Sequence, residues 1–444
     1  MVSYKINKEI IKQAIREFHQ TKLPPVIARD ISVPLNSKKI VVLAGVRRSG
    51  KTYLLFSLIQ SLIDSGIEKR RIVYINFDDP RLLPASAKDL EVILEVYWEL
   101  YPENQNKSNY LFFDEIQNVK NWESAVSRLH ATKKFHIFIT GSSSKFLNKD
   151  IAAGFSSRVL NFEILPFSLP EFLRIKNVAL SKSAPSSPAH FAATKCQEEY
   201  FTSGGFPEAV LQPDPALKAR ILKDYVEAMF FKDLSERYNI KNQMVMRELL
   251  KFLVSNTAGI FSLNAFWKWI KTIYPITKRT LIYYLSYLED AGIIFMTKKT
   301  RCEGSEKGGN SRPRKTYIID NGLRLVYGFD FNKDKGRVLE NSVYLSLRRA
   351  QAGYPFSEIA YWRDGRHEVD FVLQERGKVR ELIQVCADPQ EFKAKEKYIT
   401  PLVNAMAELK VNRSLVITEG FAGEEKIKNK KITYVPFGRW ALTK

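Results

Sequence analysis

The stretch that most restricts what this chain can fold into is residues 39–62, KIVVLAGVRRSGKTYLLFSLIQSL. Its residues 40–44, IVVLA, are an unbroken apolar run rich in β-branched side chains, the pattern of a strand buried on both faces. The run empties into GVRRSGKT at 45–52, and helical spacing follows, with Leu54, Leu55, Leu58, Ile59 and Leu62 on one face. Strand, glycine-rich turn and helix in this order build a cradle for phosphate. Gly45 and Gly50 permit backbone angles and a close approach that a Cβ would obstruct, and the helix N-terminus adds its positive dipole end. Lys51 is expected to reach the β- and γ-phosphates, and the Thr52 hydroxyl to hold Mg²⁺. The expected nucleotide-binding residues are Gly45, Val46, Arg47, Arg48, Ser49, Gly50, Lys51, Thr52 and Tyr53. A chance glycine-rich turn before a helix is the plainer alternative.

Further landmarks follow at the spacing this chemistry needs. Residues 71–77, RIVYINF, read as a second buried strand. Residues 110–115, YLFFDE, read as a third, delivering Asp114 and Glu115 to a strand's C-terminal end, where ligands sit in open α/β sheets. Asp114 is expected in the Mg²⁺ shell, and Glu115 as the residue that orients or deprotonates the attacking water. A fourth strand, HIFIT at 136–140, runs into GSSS, where Ser142 or Ser143 is a candidate to contact the γ-phosphate or the lytic water. The same serines suit a turn that caps the next helix. Arg158 is a candidate arginine finger, in cis or from a neighbouring subunit, and equally a solvated surface arginine.

Taken together, GVRRSGKT, LFFDEIQNV, ITGSSSKFL, LPFSLPEFL and GGFPEAVL resemble a family of archaeal and bacterial AAA-type P-loop ATPases. Its members carry a winged-helix region and a C-terminal restriction-endonuclease-like domain of unknown function, and the resemblance covers nearly the whole chain. It implies ATP and Mg²⁺ as cofactors, with Asp114 and Glu115 as the Walker B pair.

The 444 residues exceed one core, so several domains are expected. Residues 1–38 form a helical lead, with an amphipathic helix at 4–19, and the ATPase core spans 39–178. Residues 179–195 read as a Ser-, Ala- and Pro-rich linker, and 196–240 as a helical lid broken at Gly204 and Gly205. Residues 241–330 read as a winged helix and 331–444 as a restriction-endonuclease-like α/β domain. The fold class expected is therefore α/β: a P-loop parallel-sheet domain with a lid and these two further parts.

Formal charge is +21, which predicts attraction to a polyanion, either nucleic acid or an anionic membrane surface. A basic bias of the source proteome would give the same number. Three cysteines, Cys196, Cys302 and Cys386, lie far apart and suggest neither a disulfide framework nor a metal pair, as expected in reducing cytoplasm. No apolar span is long enough to cross a bilayer, so no membrane partner is expected.

Within 241–330, Thr277 is expected to cap a groove-facing helix that presents Lys278, Arg279, Tyr283 and Ser286. Lys298, Lys299, Arg301, Arg312, Arg314 and Lys315 flank or fill a basic wing loop suited to phosphate contact. In the last region, Glu340 and Asp370 match the helix and strand acids of the endonuclease core. Gln384 and Cys386 stand where that core has Glu and Lys, so cleavage is expected to be lost while the fold persists. The function read from all this is an ATPase coupled to nucleic acid, with DNA the form expected. The alternatives are a nucleotide switch that recruits a protein partner and an ATP-gated Mg²⁺ nuclease, with assembly into a homo-oligomer left open.

Overall fold

The computed structural model describes residues 7–141, 158–178, 188–300, 313–329, 334–354, 356–365, 367–388 and 395–443. It divides into two compact units, Met1–Ile164 and Leu165–Lys444. Ser142, Ser143, Arg301, Cys302 and Arg312 lie outside the described residues, as do residues 179–187 of the linker expected at 179–195, whose remaining residues belong to a helix.

In the first unit every residue of β1 (Ile40–Ala44) is buried, as its β-branched run requires. It joins β2 (Ile72–Asn76), β3 (Asn109–Asp114), β4 (Phe135–Gly141) and β5 (Val159–Glu163) in a parallel sheet of order β2-β3-β4-β1-β5. Helices α1 (Lys8–Gln20), α3 (Ala87–Leu100) and α4 (Trp122–Ala131) cover one face, through Ile11, Ile15, Ile93, Val96, Ala125 and Val126. The other face packs on α2 (Lys51–Asp64) through Leu54, Leu55, Ile59 and Leu62. The expected N-terminal helix is thus part of the sheet's own core. Asn7 caps it by accepting from Glu9 N at 2.9 Å. Because β1 is inserted between β4 and β5, its C-terminal end opens where the strand order reverses, the position at which such sheets bind ligands.

The second unit begins with helices α5 (Leu169–Ile175), α6 (Pro188–Ser203), α7 (Pro207–Leu211) and α8 (Pro215–Ala228). The break at Gly204 and Gly205 has a steric cause. Gly204 has φ +74°, and a Cβ there would lie 1.6 Å from Asp320 Oδ1, while one on Gly205 would lie 2.2 Å from Phe167 O. The Asp320 carboxylate accepts from Gly205 N at 2.7 Å and Gly322 N at 2.8 Å, so the break is tied to a buried acid far along the chain.

Next come α9 (Gln243–Ser255), β6 (Ile260–Phe261), α10 (Leu263–Ile270), α11 (Lys278–Asp290), β7 (Ile294–Lys299) and β8 (Arg314–Ile318). Thr277 caps α11, its hydroxyl accepting from Thr280 N at 3.2 Å. After α12 (Gly322–Val326) and α13 (Lys335–Gln351) follow β9 (Ser357–Asp364), β10 (His367–Glu375), β11 (Lys378–Val385), α14 (Thr400–Glu408), β12 (Arg413–Thr418), β13 (Gly423–Ile427), β14 (Lys430–Pro436) and α15 (Phe437–Ala441).

Among the described residues these strands form a nine-stranded sheet of order β13-β14-β12-β11-β10-β9-β7-β8-β6. The junction expected near residue 330 does not interrupt it. β7 pairs with β9 in parallel through Lys298↔Ala360 and Lys299↔Tyr361. No helix among the described residues is long and apolar enough to cross a membrane.

Candidate nucleotide-binding site

The loop after β1 is built by close approach. A Cβ on Gly45 would stand 2.2 Å from Ile164 O, because Ile164 N donates to Ala44 O at 2.7 Å and draws the chain leaving β5 alongside. Gly50, with φ 95°, is the N-cap of α2, and Arg48 also takes a positive φ of 64°. These turns aim the first amides of α2 into the loop, the arrangement that receives phosphate. Arg29, from the segment before β1, donates to Ser49 O at 3.1 Å and steadies the loop from outside.

Lys51 is 3% exposed, and its Nζ donates to Val46 O at 3.1 Å and lies 3.5 Å from Glu115 Oε1. Thr52 Oγ1 donates to Asp114 Oδ2 at 2.7 Å. Asp114 takes two further hydroxyls, Tyr74 OH at 3.1 Å on Oδ2 and Thr140 Oγ1 on Oδ1. The same Thr140 oxygen accepts from Glu115 N at 2.9 Å, locking the two acids together. Glu115 takes a positive φ of 51° and receives Gln117 Nε2.

Burial pushes the Asp114 carboxyl above its ordinary range, against the Thr140 and Thr52 hydroxyls that favour the anion. Burial also penalises Glu115, but Lys51, Gln117 and Arg47 outweigh it and hold that acid below the usual range. Tyr74 is pushed up by burial and by the neighbouring Asp114.

The donors suit a hard divalent ion beside a phosphate. A hydroxyl and a carboxylate converge at 2.7 Å, an ammonium lies close by, and the buried Ser49 Oγ has no hydrogen-bond partner. Thr52 and Asp114 are the residues that would hold Mg²⁺. Tyr74, Thr140, Gln117 and Arg29 were not expected. The signal for Tyr74 and Thr140 is a lone hydroxyl within an otherwise apolar strand. Tyr53, expected at the nucleotide, is 56% exposed on α2.

Arg158 is corrected in one respect. Its carbonyl accepts from Ile40 N at 2.8 Å, at the start of β1, and β5 runs parallel to β1 from there. A rise of about 3.3 Å per residue puts Arg158 roughly 16 Å from the loop at the other end of the sheet. It cannot serve its own site in cis. The exposed guanidinium donates to Ser127 Oγ at 3.1 Å.

In the second unit Lys278 is half-buried and Arg279, Lys298 and Lys299 are exposed, with Arg279 Nη2 donating to Tyr283 OH at 3.1 Å. Arg314 is half-buried and paired with Glu289 at 3.0 Å. Lys315 departs from expectation altogether. It is 1% exposed, on the face of β8 turned to the core, with its Nζ 2.6 Å from Glu340 and 2.7 Å from both Glu368 and Asp370. Burial opposes its charge, but Asp370, Glu340 and Glu368 hold the ammonium well above its ordinary pKa.

Gln384 Nε2 donates to Asp370 Oδ2 at 2.5 Å, so Glu340, Asp370 and Gln384 are brought together as expected. Cys386 is instead packed in an apolar cluster with Leu382, Leu402 and Val416. Burial and the charge of Asp370 push the Glu340 carboxyl up to about 8, against Lys315 and Tyr317. Among the described residues no group of three or more His, Cys, Asp and Glu side chains is placed to hold a metal ion.

Comparison with known families and proteins agrees with the geometry of the first unit. An AAA domain matches residues 37–173, a domain of unknown function (DUF8612) matches 194–332, and another (DUF4143) matches 335–440. An uncharacterized protein of Methanocaldococcus jannaschii is 37% identical over 452 residues, covering 100% of this chain and 97% of its own. An uncharacterized protein of Haemophilus influenzae is 29% identical over 341 residues, covering 77% of this chain and 80% of its own. Among solved structures, the Walker-type ATPase of Pyrococcus abyssi is 13% identical with a TM-score of 0.42, over 73% of this chain and 96% of that one. Identity at the level of the archaeal relative, over the full chain, settles kinship: the protein belongs to the family of the Methanocaldococcus jannaschii protein, and within it residues 37–173 match an AAA domain.

Proposed function

We propose that the chain binds and hydrolyses ATP at the loop after β1 and couples its nucleotide state to DNA. The observation that carries this reading is the convergence of Lys51, Thr52, Asp114 and Glu115 from two segments remote in sequence. In this reading the loop amides and Lys51 bind the phosphates, and Thr52 and Asp114 hold Mg²⁺, which when bound neutralises charge on the β- and γ-oxygens. Glu115, kept anionic beside Lys51, orients the attacking water and accepts its proton. Lys51 moves from Val46 O toward the phosphate when nucleotide enters. In the finer assignment, Thr140, near the end of β4, joins the site by its hydrogen bonds to Asp114 and Glu115 N.

For the second unit we read residues 243–318 as a winged helix. The support is the order helix, strand, helix, helix, strand, strand, with β8 pairing both β6 and β7. Exposed Arg279, Lys298 and Lys299 are its proposed phosphate contacts. Residues 335–436 read as a restriction-endonuclease-like core, from a helix, an antiparallel β9-β10-β11 meander, a helix, and β12 parallel to β11. The test is ATP turnover with and without duplex DNA, together with DNA binding across a salt series. Stimulated turnover and affinity that falls steeply with salt support the coupling. Turnover indifferent to DNA, or salt-insensitive binding, rejects it.

One observation favours a protein partner instead. Trp269, Ile273 and Ile282 are exposed apolar side chains on or beside α10 and α11, a composition more usual in protein contacts than in phosphate contacts. A partner captured from lysate that survives nuclease treatment selects that reading.

A further inference from the structure

The first unit has a cavity at the end of its sheet away from the nucleotide loop. The turn Lys69–Arg71 leads straight into β2, where Ile72 pairs with Tyr110 and, at the far end, Asn76 pairs with Asp114. Four residues at about 3.3 Å each hold these ends roughly 13 Å apart. Between this turn, the last turn of α1 and the residue after α3 is a cavity of about 480 Å³, lined among others by Arg16, His19, Glu68, Lys69, Arg70 and Tyr101. That volume falls in the range of small-molecule sites.

Its charge is one-sided. Three of these side chains are cationic, and Glu68, the acid among them, lies 3.9 Å from Lys107 Nζ. The fold itself has a use for the lysine: Lys69 Nζ donates to Thr21 O at 2.6 Å, at the negative end of α1, and sits over the Phe18 ring. Arg16 and Arg70 have no such duty. Among the described residues neither guanidinium makes a hydrogen bond or an ion pair, and Arg70 lies over the Tyr101 ring, 6.0 Å from its centre. His19 offers them no anion. Its Nε2 meets the Ile72 carbonyl at 2.8 Å and so carries the proton, while Nδ1 accepts from Tyr101 OH at 2.9 Å. Burial lowers the His19 pKa, and the charges of Lys69 and Arg70 add to that against the Ile72 carbonyl. The wall is thus a neutral imidazole–phenol pair beside cations short of a counter-ion.

A guanidinium presents a planar fork of donors that matches phosphate oxygens, and it keeps its charge at any working pH. Two such forks and an ammonium around one concavity suit neighbouring phosphate groups on a ligand small enough to enter it. We propose that Arg16, Lys69 and Arg70 form a second anion site, separate from the nucleotide loop, for a small molecule that carries a diphosphate or two adjacent phosphate groups. Tyr101 and His19 form its neutral wall. The proposal goes beyond the ATPase reading and does not depend on it.

Inorganic pyrophosphate is the probe, titrated calorimetrically into the full-length chain. In Lys51→Ala, whose nucleotide loop is weakened, pyrophosphate is expected to bind at the second site. Adding Arg16→Ala and Arg70→Ala is expected to weaken that binding at least about tenfold. In an otherwise wild-type chain the two arginine substitutions are expected to leave binding of Mg²⁺ and ATP at the loop unchanged. Pyrophosphate bound equally with and without the arginines overturns the proposal, as does its failure to bind Lys51→Ala. Citrate bound as tightly as pyrophosphate overturns the assignment to phosphate. Should Lys51→Ala not fold, wild type decides: its pyrophosphate stoichiometry falls by one when the arginines are removed, and an unchanged stoichiometry overturns the proposal. A chain whose loop binds nothing still shows that loss, so failure of the ATPase reading leaves this result readable.

Discussion

Asp114 is an acid held by three hydroxyls, and each of them has a different legibility. Thr52 is announced by the loop motif, whose spacing ties it to a later acid. Tyr74 and Thr140 sit inside apolar strand runs, and nothing local reveals what their hydroxyls meet. Only the parallel register, which pairs Asn76 with Asp114 and Phe113 with Ile139, brings them to the acid. Thr140→Val removes a donor to Asp114 and the acceptor for Glu115 N while keeping the shape. A buried polar group left unsatisfied costs about 1–3 kcal/mol, so the variant should melt lower and hydrolyse ATP at least about tenfold more slowly. Wild-type turnover in Thr140→Val would remove Thr140 from the site. Lys315 shows the opposite failure. A lysine in a basic stretch reads as solvated, and its burial follows from strand pairing that composition does not record.

Elements with a local cause were readable. The β1 run, the Thr277 cap and the α1 pattern each depend on neighbours within a few residues. The glycine pair at 204–205 was visible as a break, but its reason lies at Asp320, far along the chain. Gly204→Ala would place a methyl on the Asp320 carboxylate at a φ that side chains avoid. The expected loss is about 3 kcal/mol or more, read as a lower melting temperature.

Asp320 also makes a prediction about pH. Burial raises its carboxyl to about 7, against the Gly205 and Gly322 amides, whereas the unfolded chain releases this proton near 4. Between those values the folded form holds the extra proton, so stability contributed by this group is full at low pH and falls as pH rises toward 7. Glu340, raised to about 8, adds a slope of the same sign. Asp320→Asn should flatten the decline in melting temperature between about pH 5 and pH 7. An unchanged slope would show that Asp320 is ionised throughout.

At the scale of the whole molecule, net charge and sheet geometry set the terms. A charge of +21 argues for a polyanion but does not say which face meets it. Long-range pairing such as Lys298 with Ala360 leaves no mark on either stretch, which is why one nine-stranded sheet was expected as two separate parts. Arg158 lies at the wrong end of the first sheet for its own nucleotide, so any role in catalysis requires a second copy. Arg158→Ala should therefore slow turnover per chain only at concentrations where chains associate, and leave the dilute protein unchanged. A defect that persists at every dilution would contradict this placement.

The account turns on phosphate chemistry at the mouth of the parallel sheet, and equilibrium binding of ATP to the full-length chain, with and without Mg²⁺, tests it most directly. Mg²⁺-strengthened binding that Lys51→Ala weakens by about tenfold or more is the predicted result. Binding indifferent to Mg²⁺ and equal in wild type and Lys51→Ala would contradict it.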